Sequence, residues 1–166
     1  MALLRYSILI VLSLTISLSC VNLKQAAKTG AMNTPKLEFN TDESVDAWVA
    51  MWNSYDLSMV DKLFITDSTV TYFSSEKEGL IRGIDAVREH HAEFGFVEGG
   101  TVQENRLWLE DVQTDIFGKT AVVTGIWFFR RGPEASGEIQ RGPVTFVYVQ
   151  KGNEYRIAHV NFGKYE

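Results

Sequence analysis

From Gln103 to Phe162 the chain is written as extended segments separated by turns, and no other feature restricts its fold as strongly. The segments run Gln103 to Val112, Thr120 to Arg130, Gly142 to Gln150 and Tyr155 to Phe162, and they are rich in β-branched and aromatic residues. Phe117-Gly118-Lys119 and Lys151-Gly152-Asn153-Glu154 are short enough for hairpins, whereas Gly132 to Arg141 makes a longer loop. Strands joined this way run antiparallel. Alternation then groups Gly125, Trp127 and Phe129 on one face, Phe146 with Tyr148, and Tyr155, Ile157, His159 and Asn161. Such aromatic groups must cover either a helix or a cavity.

Helices precede this meander. Asn40 is placed to cap a helix whose Glu43 answers three residues later, with Val45, Trp48, Val49 and Trp52 along one face. Asp56 is placed to cap a second, short helix carrying Met59, Val60, Leu63 and Phe64. After an extended stretch from Ser68 to Ser74, a third helix runs from about Ile84 to Phe94, with Ile84, Val87, His91 and Phe94 on one face and His90 nearer the flank. Three helices followed by a meander predict an α+β fold, with the helices packed on one face of a strongly curved, mainly antiparallel sheet.

Composition removes several functions. With 45% hydrophobic and 12% aromatic residues the chain is too apolar to stay disordered. Its net charge of -5, without a basic block, excludes nucleic acid as an expected partner. A single cysteine rules out an intramolecular disulfide framework and a cysteine-based zinc site.

That cysteine has another reading. Residues 1–20 carry Arg5, then an apolar run from Tyr6 to Leu18 that falls short of the roughly 20 residues needed to span a bilayer, then Ser19-Cys20. The run reads as a targeting segment. Ser17-Leu18-Ser19-Cys20 resembles a bacterial lipobox, with Ser17 where that pattern carries an aliphatic residue. The resemblance implies lipidation of Cys20, cleavage before it, and an exported protein held on the periplasmic or cell-surface side of a membrane. In the alternative, a plain signal peptide is removed and Cys20 is discarded or left as a thiol. The expected organisation is a signal peptide over 1–19, a lipidated Cys20 and linker over 20–36, and a single domain over 37–166.

The domain also resembles a known superfamily. Trp52-Asn53-x-x-Asp56-Leu57, Leu63-Phe64-x-x-Asp67-Ser68-Thr69-Val70, Arg82-Gly83-x-x-Ala86-Val87, Gly118 to Gly125 and Tyr155 to Asn161 are similar, in order and spacing, to the nuclear transport factor 2-like proteins. The likeness is greatest to the SnoaL-like branch and to the association domain of calcium/calmodulin-dependent kinase. It implies a cone: a bent, cystatin-like sheet closed by helices, with a pocket at the wide end and a homodimer formed through the exposed sheet face. It also places Tyr72, Trp48 and Thr145 where ketosteroid-isomerase-like members carry an aspartate base, a tyrosine and a second aspartate. None of those identities is kept, which argues against proton transfer beside a carbonyl.

The remaining candidates are weighed on their chemistry. His91, His159 and Tyr72 are the candidate catalytic groups, because imidazole and phenol can exchange or donate protons. A ligand pocket would draw on Trp48, Tyr72, His91, Trp108, Trp127, Tyr148, His159 and Asn161. Glu76, Glu78 and Arg82 mark a charged loop at the expected rim. Adjacent His90 and His91 do not form the i, i+4 pair that suits a metal, and no glycine-rich phosphate loop or nucleophile elbow is present, so no metal or cofactor is expected. The sequence therefore predicts a lipoprotein that binds a small, mostly apolar molecule in its cone. A lyase or isomerase using His and Tyr is the first alternative, and a non-catalytic assembly domain the second.

Overall fold

A computed structural model describes residues 37–166; the signal peptide expected over 1–19, and the lipidated Cys20 and linker expected over 20–36, lie outside the described residues. Helix α1 (Thr41–Ser54) starts where Asn40 is extended, and its side-chain oxygen accepts from the Glu43 backbone N–H at 3.2 Å. Its apolar spacing buries Val45, Trp48, Met51 and Trp52. The helix ends at Tyr55, whose φ of 53° turns the chain into the left-handed region. Asp56 then accepts from the N–H groups of Ser58 at 2.9 Å and Gly99 at 3.0 Å, which caps a 3-10 turn (Leu57–Met59) and ties it to the loop before the sheet. The turn leads into α2 (Val60–Leu63), and α3 spans Ile84–Glu93.

The six strands are β1 (Thr71–Phe73), β2 (Ile81–Arg82), β3 (Arg106–Phe117), β4 (Thr120–Arg131), β5 (Glu138–Lys151) and β6 (Glu154–Phe162). They form one sheet in the order β2-β1-β6-β5-β4-β3, antiparallel throughout except for the parallel pair β1–β6. This is the expected α+β architecture of helices on a mainly antiparallel sheet, curled but not closed. Two boundaries differ from the sequence reading. β3 continues to Phe117 and β5 starts at Glu138, so the long connection shrinks to residues 132–137. The cause is pairing: Gln113 and Asp115 have little strand propensity, but β4 offers them ladder partners in Thr124 and Val122.

Along β4 the inward residues are Ala121, Val123, Gly125, Trp127 and Phe129, paired with Tyr148, Phe146, Val144, Gly142 and Gln140 of β5. The core gathers between these and α1. Trp48 has ring centroids 4.8 Å from Phe146, 5.4 Å from Phe162 and 6.1 Å from Trp52.

β6 breaks its alternation. Val147 pairs with His159 but the next residue, Tyr148, pairs with Ile157, so Ala158 is an extra residue in a bulge. Ile157 faces inward before the bulge, and Val160 and Phe162 face inward after it. His159 and Asn161 are thereby turned to the outer face, away from the cone into which simple alternation from Ile157 would place them. Thr145, paired with Asn161 and Thr124, is outward as well.

Candidate functional site

A small cavity opens where β4 ends and β5 begins. Its wall is aromatic: Trp52 of α1, Tyr72 of β1, Trp127 and Phe129 of β4, Phe94 after α3 and Phe162 of β6, with Leu107 beside them. Its rim is polar, with Ser74, Ser75 and Glu76 after β1, Arg131 at the end of β4 and Gln140 of β5. The Arg131 guanidinium is 3.6 Å from the Glu76 carboxylate and 5.6 Å from the centroid of the Phe129 ring, so a cation lies over one wall while paired across the mouth. The water-accessible space is about 30 Å³, room for one or two water molecules. Aromatic side chains fill most of the cone.

Trp127 is held in that wall by its indole N–H, which donates to the Gly163 carbonyl oxygen at 2.7 Å. The close approach of backbones there depends on Gly142, because a Cβ at that position would run into the Gly163 carbonyl.

Of the residues singled out in the sequence, the structure brings Tyr72 and Trp127 to the cavity and distributes the others elsewhere. Trp48 is fully buried in the core, and its indole nitrogen has no hydrogen-bond partner. Tyr148 is buried deeper along the sheet, with its hydroxyl 3.4 Å from the Ser44 carbonyl oxygen and its ring 4.9 Å from Phe39. Trp108 is on the outer face of β3, stacked on Phe128 with centroids 5.2 Å apart and its indole N–H donating to Glu110 at 2.9 Å. His159 is also outside, its Nδ1 2.8 Å from the Thr71 hydroxyl, and Asn161 is exposed one pair further along.

His91 does face inward. Its ring sits 5.5 Å from Trp52, 5.9 Å from Phe64, 5.5 Å from Tyr72 and 5.2 Å from Phe96, which separates it from the cavity space. Nδ1 is 2.8 Å from the Val87 carbonyl oxygen, and Nε2 has no partner. Burial depresses its pKa to about 4, opposed by the bond to Val87. His90, placed on the flank by the helix pattern, is in fact 2% exposed, because Tyr72 and Phe94 pack over it at 5.3 Å and 5.1 Å. Burial lowers its pKa as well, as it does that of His159. The Tyr72 hydroxyl is pushed far above the usual phenol range by burial, so it is a neutral hydrogen-bond donor. His91, His159 and Tyr72 thus do not converge: one histidine is sealed in the core, another lies outside the sheet, and only the phenol reaches the cavity. Among the described residues no three His, Cys, Asp or Glu side chains are grouped as metal ligands would be.

Phe129 and Arg131 extend the inward alternation of Gly125 and Trp127, so period two carried one step past Arg130 would have found the rim cation. Gln140 continues the inward alternation of Phe146, Val144 and Gly142 in β5, but it falls within the loop that the sequence predicts from Gly132 to Arg141; Ser75 has no such signal, since the loop after β1 is placed by tertiary contacts.

The architecture is shared with solved structures. A nuclear transport factor 2-like superfamily protein of Salmonella enterica matches with a TM-score of 0.62 and 19% identity over 75% of this chain and 87% of that one. A calcium/calmodulin-dependent protein kinase type II association-domain protein of Thiobacillus denitrificans matches with a TM-score of 0.63 and 16% identity over 76% and 96%. A protein with a cystatin-like fold from Caulobacter vibrioides gives 0.58 and 14% over 75% and 87%. The domain has the nuclear transport factor 2-like fold. No protein-family model matches the sequence, and no curated protein matches it either. At these identities the likeness concerns architecture alone.

Proposed function

We propose that this nuclear transport factor 2-like domain is a non-catalytic assembly module that pairs with a second copy through the outer face of its sheet. The observation that carries the reading is β4, which has apolar side chains at three of its six outward positions, between Thr120, Thr124 and Arg130, although the helices cover only the other face. Its outward residues Val122, Ile126 and Phe128 sit beside Trp108 of β3 and Val147 of β5. A sheet with one solvated face is ordinarily polar on that side, and an apolar cluster at its centre fits a face partly covered by a second copy. The kinase association domains among the structural neighbours agree with an assembling role. Sedimentation equilibrium of a chain starting at Val21 tests it. The wild type is expected to be a dimer, and Ile126→Glu with Phe128→Glu a folded monomer. A wild type that stays monomeric at high micromolar concentration disproves the reading.

The chain that carries this module is, in the same proposal, exported and anchored by acylated Cys20. The lipobox-like Ser17-Leu18-Ser19-Cys20 supports this. Mass spectrometry of the N-terminal peptide from membranes of an expressing bacterium decides it: a diacylated Cys20 supports the anchor, and an unmodified one removes it.

A second reading is favoured by the mouth cavity, which offers Trp52, Tyr72, Trp127 and Phe129 to a small, mostly apolar molecule. Occupation requires the Glu76–Arg131 pair to part, because about 30 Å³ is far below the roughly 300 Å³ and more of ordinary ligand pockets. Quenching of tryptophan fluorescence by 1-naphthol is the test. Saturable binding that tightens in Arg131→Ala supports the site; its absence in both proteins rules it out.

A further inference from the structure

Ile116 and Phe117 occupy the tip of the β3–β4 hairpin and are 54% and 66% exposed. As neighbours on an extended strand they point to opposite faces. Ile116 pairs with Ala121 on the face that α1 packs against, and Phe117 pairs with Thr120 on the outer face. A second copy laid on the outer face would reach Phe117 but not Ile116. A medium that surrounds the tip covers both.

The tip also stands beside the point where the chain enters the domain. Thr114, on the Ile116 side of β3, has its hydroxyl 2.9 Å from that of Thr41 in the first turn of α1. From Thr41 the chain leads back through Leu37 to the linker and Cys20. Extended, Val21 to Lys36 could reach at most about 55 Å, so an acyl chain on Cys20 would hold the domain, entered at this end, within about that distance of the bilayer. Two apolar side chains hold a free domain on a membrane only weakly, but a tether raises their effective concentration at the surface.

We propose that the β3–β4 hairpin tip dips Ile116 and Phe117 into the boundary between headgroups and acyl chains of a lipid surface. The proposal rests on the reading of Cys20 as a lipid anchor. The contact is apolar first: Lys119 in the turn is the one cation of the tip, and it is outnumbered by Asp115 next to Ile116 and by Asp42 and Glu43 in the first turn of α1, which would repel an anionic surface. It also orients the domain. The 12 residues of β4 run from the tip at Thr120 to Arg131 at the cavity rim, roughly 35 Å at the rise of a strand, so the mouth opens away from the bilayer.

The test uses the acylated chain purified from membranes and reconstituted in phosphatidylcholine vesicles, where acylation leaves no free native thiol. Nitroxide labels are placed at Ile116→Cys, Phe117→Cys and, in the exposed loop at the mouth end, Ala135→Cys. Their collision rates with oxygen and with a water-soluble nickel complex are then compared. Both tip labels are expected to gain oxygen accessibility and lose nickel accessibility severalfold, and the label at position 135 to stay aqueous. Tip labels as accessible to nickel as that at position 135, in a chain whose Cys20 is acylated, overturn this proposal alone. Spin–spin broadening at the tip without a gain in oxygen means that a second copy covers it, which also overturns it. A chain recovered with Cys20 unmodified overturns it together with the anchor.

Discussion

Val87 and His91 are one helical turn apart, and the imidazole Nδ1 lies 2.8 Å from the Val87 carbonyl oxygen. A carbonyl only accepts, so Nδ1 carries the proton and the neutral ring turns an unpartnered Nε2 toward a buried aromatic surround. A second proton there would put a charge in the core. The folded pKa is accordingly depressed from 6.5 to about 4, mainly by burial, while the unfolded chain takes up its proton near 6.5. Stability from this group is therefore complete above pH 6.5 and declines as pH falls toward 4, by about 1.4 kcal/mol per unit. His90, lowered by burial too, acts in the same direction. Urea unfolding at pH 7 and pH 5 should show the wild type losing about 2 kcal/mol more than His91→Gln. Equal losses would mean that His91 is solvated or already charged.

The parts of the fold that were legible have strong local signals. Asn40 and the spacing of Val45, Trp48 and Trp52 announce α1, and the alternation of Gly125, Trp127 and Phe129 announces the inward face of β4. The candidate site was less legible, for reasons that lie outside local sequence. Ala158 is an ordinary strand residue, and only its pairing between β5 and the parallel β1 makes it a bulge that sends His159 and Asn161 outward. His90 is buried by Tyr72 and Phe94, which come from other parts of the chain or beyond its helix, so the helical wheel leaves it on the flank. The motif Trp52-Asn53-x-x-Asp56 marks the fold because Asn53 and Asp56 satisfy backbone groups of Leu107, Ser58 and Gly99, not because they act on a ligand.

Gly142 should be the least replaceable glycine near the cavity. A methyl there meets the Gly163 carbonyl, the group that accepts the Trp127 indole N–H at 2.7 Å, and backbone cannot step aside as a flexible side chain can. Gly142→Ala is expected to cost about 3 kcal/mol or more, and Gly125→Ala, whose Cβ would lie 3.1 Å from the Glu110 carbonyl oxygen, about 1 kcal/mol. Denaturant midpoints of the two variants check the order. In Gly142→Ala the Trp127 emission should also shift as its hydrogen bond is lost.

Ala158 is the one residue of β6 with no partner in β5, so removing it sets Ile157 and His159 side by side opposite Tyr148 and Val147 and leaves every face as it was. His159 and Asn161 stay outward, and Phe162 stays inward against Trp48, Trp52, Tyr72 and Trp127. What changes is the local twist and the fit of β6 to the parallel β1, which pairs with His159, Val160 and Asn161 just past the bulge. The deletion should therefore keep a cooperative transition and its near-ultraviolet circular dichroism while losing about 1 to 3 kcal/mol, whereas Ala158→Ser should stay within about 0.5 kcal/mol of the wild type. A deletion variant without a cooperative transition would show that the bulge, and not the alternation alone, is needed to close the sheet.

Asn53 ties α1 to β3 with both ends of its amide: its Nδ2 donates to the Leu107 carbonyl oxygen at 2.9 Å, and its Oδ1 accepts from the Leu107 N–H at 2.7 Å. No other side chain of similar size supplies a donor and an acceptor in that arrangement. Asn53→Ala should cost about 2 kcal/mol, because it leaves two backbone groups of Leu107 without partners. Asn53→Asp keeps the acceptor but sets a carboxylate against the Leu107 carbonyl, so at neutral pH it should be at least as harmful. Its folded carboxyl pKa is then raised above the unfolded value, since protonation restores a donor toward that carbonyl. Relative to the wild type at each pH, Asn53→Asp should therefore recover as pH falls through the carboxyl range, while Asn53→Ala keeps a constant deficit. Thermal unfolding of the three proteins between pH 7 and pH 4 separates these outcomes. Parallel curves for the two variants would mean that the amide donor contributes nothing and that the tie rests on the Leu107 N–H alone.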